Sequence, residues 1–419
     1  MLTSGPKGTH DILPGEIEKW HYIEKMIRST CNIYNFHEIR TPIFEHTELF
    51  HRGVGDTTDI VQKEMYTFLD KGDRSVTLRP EGTASTVRAF LEQKIYTQVQ
   101  PTKFYYIGPM FRYERPQAGR FRQFHQFGVE IFGTPGPEAD AEVISLAVNF
   151  YKKLGLGDLE VHLNSVGCPK CRPNHKEKLQ DFFKTKLTNL CENCQNRYEK
   201  NPLRILDCKN THCAEESIGV PTTIECLCNE CEKHFLGLKL LLDKLNLKYI
   251  IDNKLVRGLD YYTKTAFEIH APDIGAQSAV CGGGRYDELI AQCGGPSIPG
   301  VGFALGMERV FSALSAKGLE LPIKTSIDVF ITVVNEQANP LAFDLLYQLR
   351  EQGFSVDKDS INRSLKAQMK YADKLSAKHV ILIGEDELNN NYLTVRHMND
   401  GSQEKILTNE ILAYFKKIL

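Results

Sequence analysis

Two kinds of strand pattern within one chain constrain its fold more than any other feature. Between Lys103 and Gly133, aromatic and β-branched residues alternate with polar ones on either side of a turn-like RPQAGR segment, the pattern of a long antiparallel hairpin. From Ile327 onward, IDVFITVV, FSVDKD and HVILIGEDE read as strands separated by the helical stretches NPLAFDLLYQLREQG and SLKAQMKYADKLSA. Continuous apolar strands alternating with helices imply βαβ units on a mostly parallel sheet. One sheet cannot satisfy both patterns, so the chain must contain at least two domains. Its 419 residues require the same, because single cores stop growing at roughly 250 to 300 residues. KGLELPIKTS, near 317 to 326, reads as the linker.

Ahead of the hairpin, Ile17, Trp20, Ile23, Met26, Ile27 and Tyr34 fall at helical spacing, and HEIRTPIFEH reads as an edge strand ending near Pro42. Behind it come a helix-like 137 to 154 and a strand-like LEVHLNSV. Then follows a block holding nine of the twelve cysteines, from Cys168 to Cys231. Strand patterning resumes at LKYIIDNKLVRGLDYYTKTAFEIHA, so the cysteine-rich block reads as an insertion. Cys168-x-x-Cys171 and Cys191-x-x-Cys194, 19 residues apart, have the spacing of a zinc-ribbon tetrathiolate and are the candidate ligands of a structural Zn2+. Cys208, Cys213, Cys226, Cys228 and Cys231 offer other quartets, so spacing leaves the set open. No adjacent acid or base suggests an open coordination position, which argues against a catalytic metal.

The function classes narrow further. No run of about 18 apolar residues exists to span a bilayer, and the first residues lack the apolar core of a signal peptide, so a cytoplasmic location is expected. A formal net charge of −2 gives no overall electrostatic grip on nucleic acid. Any RNA contact must come from local basic patches.

Two segments carry the marks of phosphate chemistry. In the hairpin, Arg112 lies within strand patterning and is followed by Arg115, Arg120 and Arg122 across the turn; a sheet would hold the Arg112 guanidinium rigidly, and a guanidinium grips phosphate through a bidentate fork. In GVGFALGMERV, Gly300 to Val310, small residues precede Glu308 and Arg309 where a strand passes into a helix. Rigid placement of charge is what phosphoryl and adenylyl transfer need.

The order of helix-strand, hairpin and glycine-rich strand-to-helix resembles the three signature motifs of class II aminoacyl-tRNA synthetases. Within that class, LVRGLDYYTKTAFE from Leu255, CGGGRYDEL from Cys281, LRPEGT from Leu78 and FHQFGVEIFG from Phe124 make the chain similar to the histidyl-tRNA synthetase family over nearly its whole length outside the insertion. The resemblance implies an α+β catalytic domain, an antiparallel sheet with flanking helices, in two parts at 1-167 and 248-320. These enclose an insertion at 168-247 and are followed by an α/β anticodon-binding domain at 326-419. It implies ATP-dependent activation of L-histidine, Mg2+ accompanying the ATP, transfer to tRNA(His), and a homodimer paired through the first motif.

Carried over by residue, the resemblance gives Glu81, Thr83 and Gln126 to the α-amino group of histidine, and Glu130 and Tyr262 to its imidazole. Arg112 and Arg257 would bridge carboxylate and α-phosphate, with Arg257 standing in for one of the divalent ions used elsewhere in the class. Adenine would stack between Phe124 and Arg309, with Arg120 near the outer phosphates. Independently of the family, a carboxylate and a phenol meeting both nitrogens of a buried imidazole would reject apolar isosteres by leaving polar groups unpaired, by about 10⁴-fold or more. Tyr261 and Tyr262 read as adjacent strand residues, one inward and one outward, and Tyr262 is the preferred ligand.

Two patches are candidates for RNA. Arg363, Lys366, Lys370 and Lys374 recur at spacings of three and four, which sets four cations on one helix face. Arg115 and Gln117, in the hairpin turn, would lie beside the acceptor end. Two other readings compete: a non-catalytic, synthetase-like regulatory subunit of histidine biosynthesis, which would lack the C-terminal domain, and a synthetase for another amino acid of the subclass.

Overall fold

The structure is a computed structural model describing residues 3–55, 58–115, 119–208, 210–272, 274, 278–323 and 326–419. The chain divides into two units, one holding residues 1–12 and 20–321 and the other 13–19 and 322–419.

The larger unit is built on an eight-stranded sheet. In spatial order the strands are His37–Glu38, Thr102–Phe111, Gln123–Phe132, Gly300–Gly306, Ala279–Arg285, Thr263–His270, Glu160–Ser165 and Tyr249–Ile251. The inner pairs are antiparallel and the two edge pairs parallel. The predicted hairpin pairs Thr102 with Phe132 through to Phe111 with Gln123. HEIRTPIFEH divides into two strands. Only His37–Glu38 joins this sheet, and Phe44–His46 enters a separate three-stranded sheet with Ser75–Leu78 and Tyr66–Leu69. Pro42 between them cannot donate to a ladder, and the strand breaks there.

The period-2 alternation of strands sorts the sheet into two faces. Phe127, Val129 and Ile131 are buried on one face, under the helix Pro137–Lys153, whose Phe150 ring lies 5.7 Å from that of Phe127. Phe124, Gln126, Gly128 and Glu130 alternate with them onto the opposite face. Next to these lie Gly302, Ala304 and Gly306 from the neighbouring strand, and beyond it Gly282. Small residues on three adjacent strands leave that face concave.

The cysteine-rich segment leaves the sheet after Glu160–Ser165 and returns at Tyr249–Ile251, the parallel strand beside it, so it is the crossover that a parallel pair requires. It folds as the helices Arg172–Lys184, Glu192–Lys200, Thr211–Glu216 and Asn229–Lys244.

The smaller unit carries a five-stranded sheet in the order Val356–Lys358, Val329–Val333, His379–Ile383, Tyr392–His397, Gln403–Leu407. Its first three strands are parallel, as predicted, but the last two pair antiparallel through a hairpin, so the sheet is mixed. Alternate residues of Val329–Val333 face two cores, Ile331 one and Phe330 the other. This is why the strand is apolar throughout.

Candidate active site

The concave face opens into a cavity of about 490 Å³. Glu130 lines it, 1% exposed, with the hydroxyl of Tyr106 donating to it at 3.3 Å and that of Tyr286 also hydrogen-bonded to it. Burial is the main influence on its carboxyl, raising its pKa to about 8, and the Tyr286 hydroxyl pulls the other way. Room for this group comes from Gly302, directly across the ladder. A Cβ there would overlap the Glu130 carboxylate and the Val129 carbonyl.

Beside Glu130, the Glu81 carboxylate accepts the backbone N–H groups of Thr83 and Ala84, each at 2.8 Å, where the helix Thr83–Glu92 begins. Burial also raises the Glu81 carboxyl, against those two hydrogen bonds. Thr83 and Gln126 line the same wall. Gln126 Oε1 is buried and has no partner among the described residues. A buried amide oxygen without a partner is an unsatisfied acceptor, which a cationic donor such as an ammonium would satisfy if the side chain turned toward it.

Arg112 and Arg257 converge on the cavity from different elements. Contrary to the expectation of a strand position, Arg112 follows the strand Thr102–Phe111. It is fixed by its backbone N–H to Arg122 O at 2.9 Å, while its Nε donates to the Pro80 carbonyl at 2.8 Å and its guanidinium sits 5.3 Å from the Phe124 ring centroid. Arg257 stands in an irregular loop between Tyr249–Ile251 and Thr263–His270, where sequence patterning had suggested strand. Its guanidinium pairs with Glu268, and its Nε is buried and unpartnered. Burial opposes the Arg257 charge, but Glu268 together with Tyr262 and Tyr261 more than offsets it and raises the pKa.

The same loop corrects the view of its tyrosines as strand residues. Tyr261 and Tyr262 precede the strand that starts at Thr263, and without strand alternation both face the cavity, 4% and 6% exposed.

At the mouth, Phe124, Arg120 and Arg309 line the cavity together. Arg120 pairs with Glu114 at 3.0 Å, and Arg309 donates to the Ala279 carbonyl at 3.1 Å. Glu308 accepts the backbone N–H of His125 at 2.9 Å, tying the glycine-rich segment to the hairpin. Arg115 is exposed and stands off the cavity, and Gln117 lies outside the described residues.

Sequence reasoning assigned no role to Tyr106, Tyr286 and Glu268. The signal for two of them was present: Tyr286 ends the run CGGGRY, and Glu268 closes TKTAFE. The glycines of that run also have a physical reason, since a Cβ at Gly282 would occupy the space of the Arg257 guanidinium.

In the smaller unit the helix begins at Leu365, so Arg363 lies before it and is not part of its face. Arg363 is bound to Asp359 at 2.6 Å and stacks 4.4 Å over Tyr371. Lys366, Lys370 and Lys374 are exposed along the helix.

The cysteines form two sets where one had been expected. Cys168 and Cys171 meet Cys228 and Cys231, whereas Cys191 and Cys194 meet Cys208 and Cys213. The proposed quartet of Cys168, Cys171, Cys191 and Cys194 is therefore split, because each half closes with a cysteine pair from later in the chain. The third C-x-x-C, Cys228 to Cys231, among the cysteines that spacing left open, closes the first set.

An antiparallel sheet with a buried carboxylate, two converging arginines and a glycine-rich strand running into a helix defines the catalytic core of a class II aminoacyl-tRNA synthetase. Residues 8–310 match the family model described as histidyl-tRNA synthetase, and residues 328–418 match that of the anticodon binding domain. The chain belongs to the histidyl-tRNA synthetase family. It is 57% identical to the histidine–tRNA ligase of Desulforamulus reducens, over 99% of both chains. It is 56% identical to that of Pelotomaculum thermopropionicum, over 100% of this chain and 98% of the other. Among solved structures, apo histidyl-tRNA synthetase of S. aureus superposes with a TM-score of 0.84 at 42% identity, covering 99% of each chain.

Proposed function

We propose that the chain activates L-histidine with ATP and loads it onto tRNA(His). A histidine carboxylate oxygen attacks the α-phosphorus of ATP, the bond to the bridging oxygen breaks, and pyrophosphate leaves. A hydroxyl of the terminal ribose of the tRNA then attacks the acyl carbon of histidyl-adenylate and displaces AMP. The observation that carries this reading is the buried Glu130, held by two tyrosines in a cavity whose walls bear Arg112, Arg257 and Gln126.

Glu130 and Tyr262 would hold the imidazole, with Tyr261 packed beside them, and Glu81, Thr83 and Gln126 the ammonium. Arg112 and Arg257 offset the repulsion between a carboxylate nucleophile and a triphosphate, then stabilise charge in the transition state. Phe124 and Arg309 would sandwich adenine, and Arg120 would meet the outer phosphates. Magnesium would enter with ATP. Glu114, at the rim beside Arg112 and Arg120, is a carboxylate available to an ion held mainly by phosphate oxygens and water.

We read the catalytic domain as 1-167 and 248-320 around the insertion 168-247, with 326-419 binding the anticodon arm through Lys366, Lys370 and Lys374. Arg363 would contribute less there, being committed to Asp359. Arg115 and Gln117 would face the acceptor end. A homodimer through the first motif is supported by the exposed Ile33, Ile43 and Phe44 flanking the short edge strand. No helix among the described residues is long and apolar enough to cross a membrane, and a cytoplasmic location fits the twelve free cysteines.

The regulatory-subunit reading is disfavoured by the C-terminal unit and by Arg112, Arg257 and Arg309 standing together at one cavity. ATP–pyrophosphate exchange with a panel of amino acids tests the proposal: histidine-dependent exchange is expected, and its absence, or exchange with another amino acid, refutes it.

A further inference from the structure

We propose that the insertion binds two zinc ions in two separate tetrathiolate sites, and that these hold the loop carrying Arg257 and Tyr262 in place. In each set the four sulfurs lie within 4.8 Å of one another. Individual separations are 3.6 Å for Cys168 to Cys171, 3.9 Å for Cys168 to Cys228 and 3.8 Å for Cys191 to Cys208. A zinc ion bonded to four thiolates at about 2.3 Å in a tetrahedron sets its sulfurs about 3.8 Å apart. A disulfide would bring a pair to about 2.05 Å.

The two sites share a local design. Cys171 N–H donates to Cys168 O at 2.9 Å and Cys194 N–H to Cys191 O at 2.8 Å, so both C-x-x-C segments make the same tight turn. Each site also has a backbone N–H aimed at a sulfur, Cys228 N to Cys171 Sγ at 3.1 Å and Cys191 N to Cys213 Sγ at 3.2 Å. Such donors disperse the negative charge of a tetrathiolate and hold its ligands in place. Cys228 of the first set and Cys191 and Cys208 of the second are partly exposed, which leaves a route for loading. The apolar cluster around the second set contains Leu179, Phe183, Leu190 and Ile205 with two of the cysteines themselves. A core this small ordinarily needs a metal or a cross-link to persist.

Each site sets an arginine against the loop. Arg172, next to Cys171, donates to the Tyr262 carbonyl. Arg204, four residues before Cys208, donates to the Arg257 carbonyl at 2.9 Å. The sites thus fix the backbone of a segment that has no strand partners of its own. Arg172 and Arg204 are positioning residues, acting through Tyr262 and Arg257.

Protein purified under reducing conditions without added metal is expected to hold two zinc ions per chain by elemental analysis. Cys208→Ser with Cys213→Ser should lower this to one, as should Cys228→Ser with Cys231→Ser. One or no zinc in the wild type overturns the two-site assignment, and so does a double variant that keeps both ions. Should a serine variant fail to fold, cobalt exchanged into the wild type carries the test. Two Co2+ per chain with thiolate-to-metal absorption supports the assignment; fewer than two, or no such absorption, overturns it. Arg204→Ala, with both zinc ions retained, is expected to raise the KM for histidine about tenfold while the KM for ATP changes less, with Arg204→Lys restoring part of the loss. An unchanged KM for histidine overturns the positioning role. This last arm rests on the cavity taking histidine, whereas the metal count does not, so the two failures are distinguishable.

Discussion

Arg257 is ion-paired with Glu268, eleven residues away, and the pair forms one wall of the cavity that also holds Glu130. Glu268 lies across the ladder from Gly282, whose missing side chain is the space the guanidinium fills. The pairing leaves Arg257 Nε buried and unsatisfied. A cation held in this way is already oriented, which is the condition for stabilising charge without reorganisation during the reaction.

Replacing Arg257 with alanine should therefore lower histidine-dependent pyrophosphate exchange by about 10² to 10³ at least, the loss typical for removing one preorganised charge donor. Glu268→Gln should cost less, because the cation remains although its orientation loosens. Steady-state exchange with matched circular dichroism spectra checks both. Near-normal exchange in the alanine variant would rule Arg257 out of the chemistry.

Glu130 makes a pH prediction. Its carboxyl is raised from 4.5 to about 8 by burial, so the folded, ligand-free protein holds a proton that the unfolded chain releases. For a raised carboxyl the stabilising contribution is complete below about 4.5 and is lost as pH rises through about 8. The melting temperature of the ligand-free protein should therefore fall across that window more steeply than that of Glu130→Gln, in which nothing titrates. Superimposable profiles would show that Glu130 stays ionised in the empty cavity.

The sequence made some of this geometry legible and not the rest, for identifiable reasons. The hairpin was readable because alternation over two ten-residue strands is a strong periodic signal, and with it came Gln126 and Glu130 on one face. The loop at Arg257 was misread as strand because DNKLVRGLDYY carries the aromatic and β-branched residues of its flanking strands, while what fixes its irregular path is remote: the carbonyls held by Arg172 and Arg204. The cysteine sets were misassigned because one is nested inside the other along the chain, and spacing rules favour neighbouring pairs. Arg363 was placed on a helix face because its spacing fits, and its removal follows from Asp359, a contact in the turn before the helix.

A fully buried ion pair of the larger unit gives a stability prediction. Arg285, within the glycine run, and Asp140 on the helix Pro137–Lys153 are both fully buried, and His234 also meets Asp140 at 3.3 Å. Burial alone would raise the Asp140 carboxyl, but Arg285 and His234 bring it down to about 2. A lowered carboxyl contributes stability that is present above 3.8 and is lost as pH falls through about 2. Asp140→Asn should destabilise the protein by up to about 3 to 5 kcal/mol, since it leaves the buried guanidinium with Asp287, at 3.2 Å, as its remaining carboxylate. It should also remove part of the acid transition. Urea unfolding at pH 7 measures the first effect and acid titration the second. A loss below about 1 kcal/mol would mean that Asp287 and the carbonyls of Thr134 and Gly136 suffice to hold the guanidinium.

Lys366 and Lys370 allow a test of the smaller unit that does not depend on catalysis. Both are exposed on the helix Leu365–Lys374, whereas Arg363 is occupied by Asp359 and Tyr371. Phosphate contacts release counterions, so each lysine that touches the RNA backbone adds about 0.7 to 0.9 to the slope of log affinity against log salt. Neutralising both with glutamine should weaken tRNA binding and reduce that slope by about 1.4 to 1.8. Arg363→Gln should change it much less, because a guanidinium already paired with a carboxylate has little counterion atmosphere to release. Filter binding between low and moderate salt gives the three slopes. Equal slopes for wild type and the double lysine variant would place the RNA on another face of this unit.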